Sequence, residues 1–88
     1  MALSKKHRRT LQAVFSHPVP ANLRWREIAS MLAALGVVIE QREGSRVKLT
    51  HPAGGLPLIH HITHGEASQD KGSVATIRNW LRDHGTRP

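Results

Sequence analysis

Three short β-patterned runs, Val37–Arg42, Arg46–Thr50 and Leu56–Ile62, follow one another between two stretches of helical periodicity. Glu43-Gly44-Ser45 separates the first two, and Pro52-Ala53-Gly54-Gly55 makes the second turn. Connections this short join antiparallel neighbours, because a parallel pair needs a crossover of roughly a dozen residues. The chain is therefore held to an antiparallel meander in the order 1-2-3. Within it, Arg46-Val47-Lys48-Leu49-Thr50 alternates cleanly, which turns Val47 and Leu49 to a core and Arg46, Lys48 and Thr50 outward. Pro57 lacks an N–H and places the start of the third run at a sheet edge.

The flanking stretches predict the helices that cover this sheet. Trp25, Ile28, Ala29, Met31, Leu32 and Leu35 follow a 3.6-residue period, and Gly36 stands where a C-cap glycine belongs. After the strands, Ser73 reads as the N-cap of a helix to His84, with Val74, Ile77, Trp80 and Leu81 on its apolar side and Gly85 ending it. Near the start, His7, Leu11, Val14 and Phe15 predict a short helix over Lys5–Ser16, broken by Pro18 and Pro20 into an extended link. Residues 1–22 thus read as a basic helical extension within a single domain, 1–88. The expected fold class is α+β, ordered α(α)βββα, with helices on one sheet face and the other face open. Trp25, Ile28, Leu32, Leu35, Val47, Leu49, Ile77, Trp80 and Leu81 form the expected core.

Charge narrows the choice of partner. Thirteen Lys and Arg stand against six Asp and Glu, a net charge of +7. No acid precedes Glu27, whereas Lys5, Lys6, Arg8, Arg9, Arg24 and Arg26 do. A small domain with this excess attracts polyanions, chiefly nucleic acid or an acidic protein. Aromatic residues are scarce, and Trp25 and Trp80 sit at core spacing. That weighs against stacking base after base and favours contact with backbone and shape. The absence of cysteine excludes a disulfide framework, a thiolate nucleophile and cysteine ligation of zinc. No apolar run approaches the roughly 18 residues of a membrane span. A soluble, cytoplasmic protein without membrane attachment is expected.

Two places could carry chemistry. His51, His60, His61 and His64 crowd into fourteen residues, and imidazole can move protons, bind a metal or donate to phosphate near neutrality. Zinc on His60, His61 and His64 is disfavoured, since consecutive strand residues point to opposite faces and the nearest acids, Glu66 and Asp70, lie in a loop. Neither metal nor cofactor is expected. Alternation turns His51 inward. The second place is Lys71-Gly72-Ser73, where unpaired N–H groups at a helix start, a lysine and a hydroxyl suit a phosphate. The run Lys5-Lys6-His7-Arg8-Arg9 reads either as a solvated helix face or as a phosphate contact.

With these residues in place, the chain resembles the HicA family of toxins from bacterial toxin–antitoxin pairs, over about Trp25 to Gly85. The resemblance rests on the amphipathic helix ending at Gly36 and on Gly44-Ser45 before a basic strand. His61 and His64 before the loop, and Lys71-Gly72-Ser73-Val74 entering the last helix, complete it. It implies a fold like a double-stranded-RNA-binding domain and an endoribonuclease, an mRNA interferase, that cleaves messenger RNA without a required metal. A cognate HicB-like antitoxin is the implied partner. Carried onto this chain, it implies His61 and His64 as catalytic residues. The clustered positive charge makes Arg46, Lys48, Lys71 and Ser73, with Lys5 and Lys6, the expected holders of RNA phosphates. One residue departs from the pattern: typical members carry a catalytic histidine after the Gly-Ser pair, where this chain has Arg46. An arginine stays protonated and cannot act as a base, but it can hold a phosphate bidentately. Either RNA binding persists without cleavage, as a module of the same fold, or His61 or His64 moves the proton.

Overall fold

The computed structural model describes residues 3–62 and 68–88. Three helices, α1 (Lys5–Val14), α2 (Trp25–Ala34) and α3 (Lys71–Asp83), accompany three strands, β1 (Val38–Gln41), β2 (Arg46–Thr50) and β3 (Leu58–His61). The strands form one antiparallel sheet in the order β1-β2-β3. This is the α+β arrangement, α–α–β–β–β–α, that the short connections predict. Register aligns Glu40 with Lys48, Arg46 with His61 and Lys48 with Ile59. Residues paired in this way share a face, so alternation assigns Arg46, Lys48, Thr50, Ile59 and His61 to one side.

The other side is covered. α2 packs against β1 and α3 against β3, while Val47, Leu49 and His60 are buried beneath them. Ile28, Met31, Leu32, Val74, Ile77 and Leu81 complete this part of the core. Trp25 and Leu35, expected to be buried, are only partly so and pack at its margin. α1 and α2 begin on polar caps. Ser4 Oγ accepts the His7 N–H at 3.1 Å, and the Arg24 N–H donates to Glu27 Oε1 at 3.2 Å.

α2 and α3 end alike. At Gly36 (φ 91°) and Gly85 (φ 86°) the chain turns through the left-handed region. The next residue's N–H then returns to a carbonyl of the last turn, Val37 to Leu32 at 3.0 Å and Thr86 to Leu81 at 2.9 Å. A Cβ on Gly36 would also stand 3.3 Å from Pro52 Cγ. Gly36→Ala is expected to cost about 1–2 kcal/mol, read as a lower denaturant midpoint at unchanged m-value. An unchanged midpoint would contradict this account of the turn.

The sequence expectation errs at the start of α3. The N-cap is Asp70, not Ser73, and Ser73 lies inside the first turn. Just upstream, the Gln69 N–H donates to the Leu23 carbonyl at 2.7 Å, and Ser68 bridges to Arg24. These contacts fix the chain direction before Asp70, so the helix opens three residues earlier than expected.

Residues of the N-terminal segment enter the same core. Leu11 (2% exposed), Val14 (0%), Val19 (8%) and Leu23 (6%) belong to the one buried cluster, and α1 packs against both α2 and α3. His7 Nε2 meets Ser30 Oγ at 2.8 Å, a further tie between α1 and α2.

Candidate nucleic-acid interface

The sheet face turned away from the helices carries the candidate site. Its β1–β2 hairpin is stiffened by Gln41, whose Nε2 donates to the Arg42 and Gly44 carbonyls, each at 3.3 Å. Arg46 Nε donates to the Glu43 carbonyl at 3.4 Å, so the guanidinium leans over the turn. Arg42 pairs with Glu40 at 3.3 Å, both about half exposed. An exposed pair of this kind contributes little and is easily exchanged for another partner. Arg42, Glu43, Arg46, Lys48 and Ile59 line an open groove of about 500 Å³.

Arg46 and His61 are direct cross-strand partners, and both are exposed. The Ile62 N–H donates to the Ser45 carbonyl at 2.7 Å and carries the β2–β3 pairing past them. An imidazole therefore lies opposite a guanidinium on a rigid ladder, a spacing at which both can reach one phosphodiester. Lys48 is the next outward residue on the same strand. Val38 (54% exposed) and Ile59 (50%) add apolar surface to this face. Strand parity assigns both to the side of Arg46, Lys48 and Thr50.

His60 points the other way, as strand alternation requires. It is buried, its ring stacks on Trp25 at 4.9 Å, and its Nε2 lies 3.0 Å from Gln69 Oε1. His51 is buried as well. Its Nδ1 accepts the Ala53 N–H at 3.1 Å, which leaves Nε2 to donate to Thr86 Oγ1 at 2.9 Å. His64, the other implied catalytic residue, lies outside the described residues. Among those described, no three His, Asp or Glu side chains converge as metal ligands.

Both buried histidines are held below the ordinary imidazole value of 6.5. Burial is the main cause for each; the neighbouring His84 adds to it at His51, while Gln69 partly opposes it at His60. The folded state thus keeps these rings neutral where the unfolded chain would protonate them. Their contribution is complete above about pH 6.5 and is lost as pH falls toward the lowered folded values. The thermal midpoint should accordingly be lower at pH 5.5 than at pH 7.5, and His51→Gln should reduce that difference. A midpoint that does not fall on acidification would refute this assignment.

The start of α3 is less suited to phosphate than its sequence implies. The Ser73 hydroxyl, and then its amide, lie against the Asp70 carboxylate and hold that group below its usual pKa. An anion of the chain itself already occupies the helix's positive end. Ser73 sits half-buried beside that carboxylate, while Lys71 is exposed in the first turn. Lys5 and Lys6 lie away from the sheet, in the first turn of α1. Lys6 lines a cleft with Arg24 and Arg26, a grouping that requires α1 to dock on α2 and left no mark in the sequence.

No protein-family model, curated protein or solved structure matches the chain.

Proposed function

We propose that this protein is an RNA-binding toxin of the HicA type, which holds messenger RNA on its open sheet face and cuts it without a metal. The observation that carries the reading is the Arg46–His61 cross-strand pair on an exposed basic surface. Neutral His61 takes the proton of a ribose 2′-hydroxyl, and the freed oxygen attacks the adjacent phosphorus. Arg46 holds the non-bridging oxygens as charge grows on them. The 5′-oxygen leaves with a proton returned from the imidazolium or from water, giving a 2′,3′-cyclic phosphate and a 5′-hydroxyl. Lys48, with Lys71 as a more distant point charge, neutralises flanking phosphates. Contact of this kind reads backbone and shape rather than sequence. A cytoplasmic setting and a HicB-like antitoxin belong to the same proposal, the antitoxin docking on the apolar and basic residues of this face.

A second reading has one specific observation in its favour. Arg46 occupies the position where the family carries its histidine, so the same face would bind RNA without turnover. Both readings require salt-sensitive binding. With about four phosphates neutralised, the log–log slope of affinity against salt should be near −3 to −4. Arg46→Ala with Lys48→Ala should flatten it by about 1.4–1.8 units. Affinity indifferent to salt, or a slope untouched by the double substitution, would remove RNA from this face.

A further inference from the structure

A second basic surface lies between α1 and α2. Lys6, Arg24, Arg26 and Glu27 line a cleft of about 680 Å³ together with Ser30 and Ser68. Among the described residues its lining holds Lys6, Arg24 and Arg26 beside the carboxylate of Glu27, whose Oε1 accepts the Arg24 N–H at 3.2 Å. Among the described residues, Lys6 and Arg26 have no carboxylate partner, and both are exposed. The cleft has room for a phosphate with its sugar, within the usual range of ligand sites. Among the described residues no aromatic side chain lines it, so the lining they form offers a base nothing to stack on. Charge without stacking selects a sugar–phosphate backbone.

The two basic surfaces lie on opposite faces of the sheet, at the end where β3 finishes and α2 opens. Arg24 bridges to Ser68, and its neighbour Trp25 stacks on His60, the residue before His61. The Arg46–His61 pair thus lies just across the end of β3 from the residues that open α2.

We propose that the α1–α2 cleft is a second phosphate-binding site, which takes the backbone of the RNA strand as it leaves the sheet face. This rests on the RNA reading above. It adds a second point of attachment, so that the strand is gripped on both sides of the Arg46–His61 pair.

The test measures RNA affinity against salt for the full chain and for three double variants. Lys6→Ala/Arg26→Ala should flatten the slope by about 1.4–1.8 units, as two phosphate contacts predict. Its effect should add to that of Arg46→Ala/Lys48→Ala. Arg82→Ala/Arg87→Ala removes the same charge elsewhere and should leave the slope unchanged. An equal flattening from that control overturns the site, since net charge alone would then explain the loss. If the cleft variant binds like the parent while the sheet variant does not, the cleft inference fails and the sheet reading stands. If only the cleft variant weakens binding, the sheet reading fails instead. A parent chain that binds no RNA ends both. Of the substituted side chains only Lys48 is half-buried and the others are exposed, so thermal midpoints should stay within a few degrees of the parent and exclude unfolding as the cause.

Discussion

His61→Ala is expected to lower metal-independent RNA cleavage by about 10²–10⁴-fold, the usual contribution of a positioned general base. The assay contains EDTA and low salt, and it follows the 2′,3′-cyclic phosphate product. Because His61 is exposed, its loss should move stability by less than about 0.5 kcal/mol, so the missing activity cannot be laid to unfolding. Arg46→His should act in the opposite direction. It places a group that titrates near neutrality directly across from His61, and two imidazoles on one ladder can serve as base and acid together. Cleavage by Arg46→His should exceed that of the parent, although phosphate affinity should fall with the loss of the bidentate guanidinium. If the parent cuts nothing and Arg46→His gains nothing, the nuclease reading is lost. The non-catalytic module would then take its place, provided that salt-sensitive binding is observed.

Residues 23–88 expressed alone are expected not to fold. The segment removed contributes Leu11, Val14 and Val19 to the core, each buried to at least nine-tenths. Burying an aliphatic side chain of this size is worth about 1.5–3 kcal/mol, and the cavity left behind adds to the loss. Three such losses come close to the whole stability of a domain this small, about 4–13 kcal/mol. Leu11→Ala by itself should cost about 2–5 kcal/mol. Far-ultraviolet circular dichroism and denaturant titration read both effects. A truncated chain with a cooperative transition near the parent midpoint would show that α1 decorates the fold without supporting it.

That result bears on how the N-terminal segment is understood. Its charge and its prolines read as an extension, because a sequence displays the polar face of a helix as clearly as the buried one. Leu11 and Val14 stand in a short apolar patch that follows the basic run Lys5–Arg9. What they pack against is decided by α2 and α3, which lie far away in the chain.

The strands were more legible. Alternation along Arg46–Thr50 is a local rule of backbone geometry, and it gave the buried and exposed sides of β2 without error. Short turns then left one topology. The same rule separated His60 from His61 and turned His51 inward. It could not supply the stack of His60 on Trp25 or the Gln69 contact, since both join residues that the chain brings together only after packing. Strand ends were also misjudged. Val37 is consumed by the turn that closes α2, and the Leu56 carbonyl accepts from Trp80 Nε1 at 2.9 Å, so neither residue joins the ladder.

The sequence by itself determined the α+β order, the meander, the glycine turns after α2 and α3, and the charge of the open face. These follow from periodicity, φ preference and side-chain ionisation, all of which act over a few residues. Only the tertiary structure decided that Arg46 faces His61 and that Asp70, rather than Ser73, opens α3. It alone placed α1 in the core and drew Lys6, Arg24 and Arg26 around one cleft. Each of these depends on the register or docking of segments distant in sequence. Such contacts are selected by the burial of the whole apolar surface at once, which no local pattern encodes.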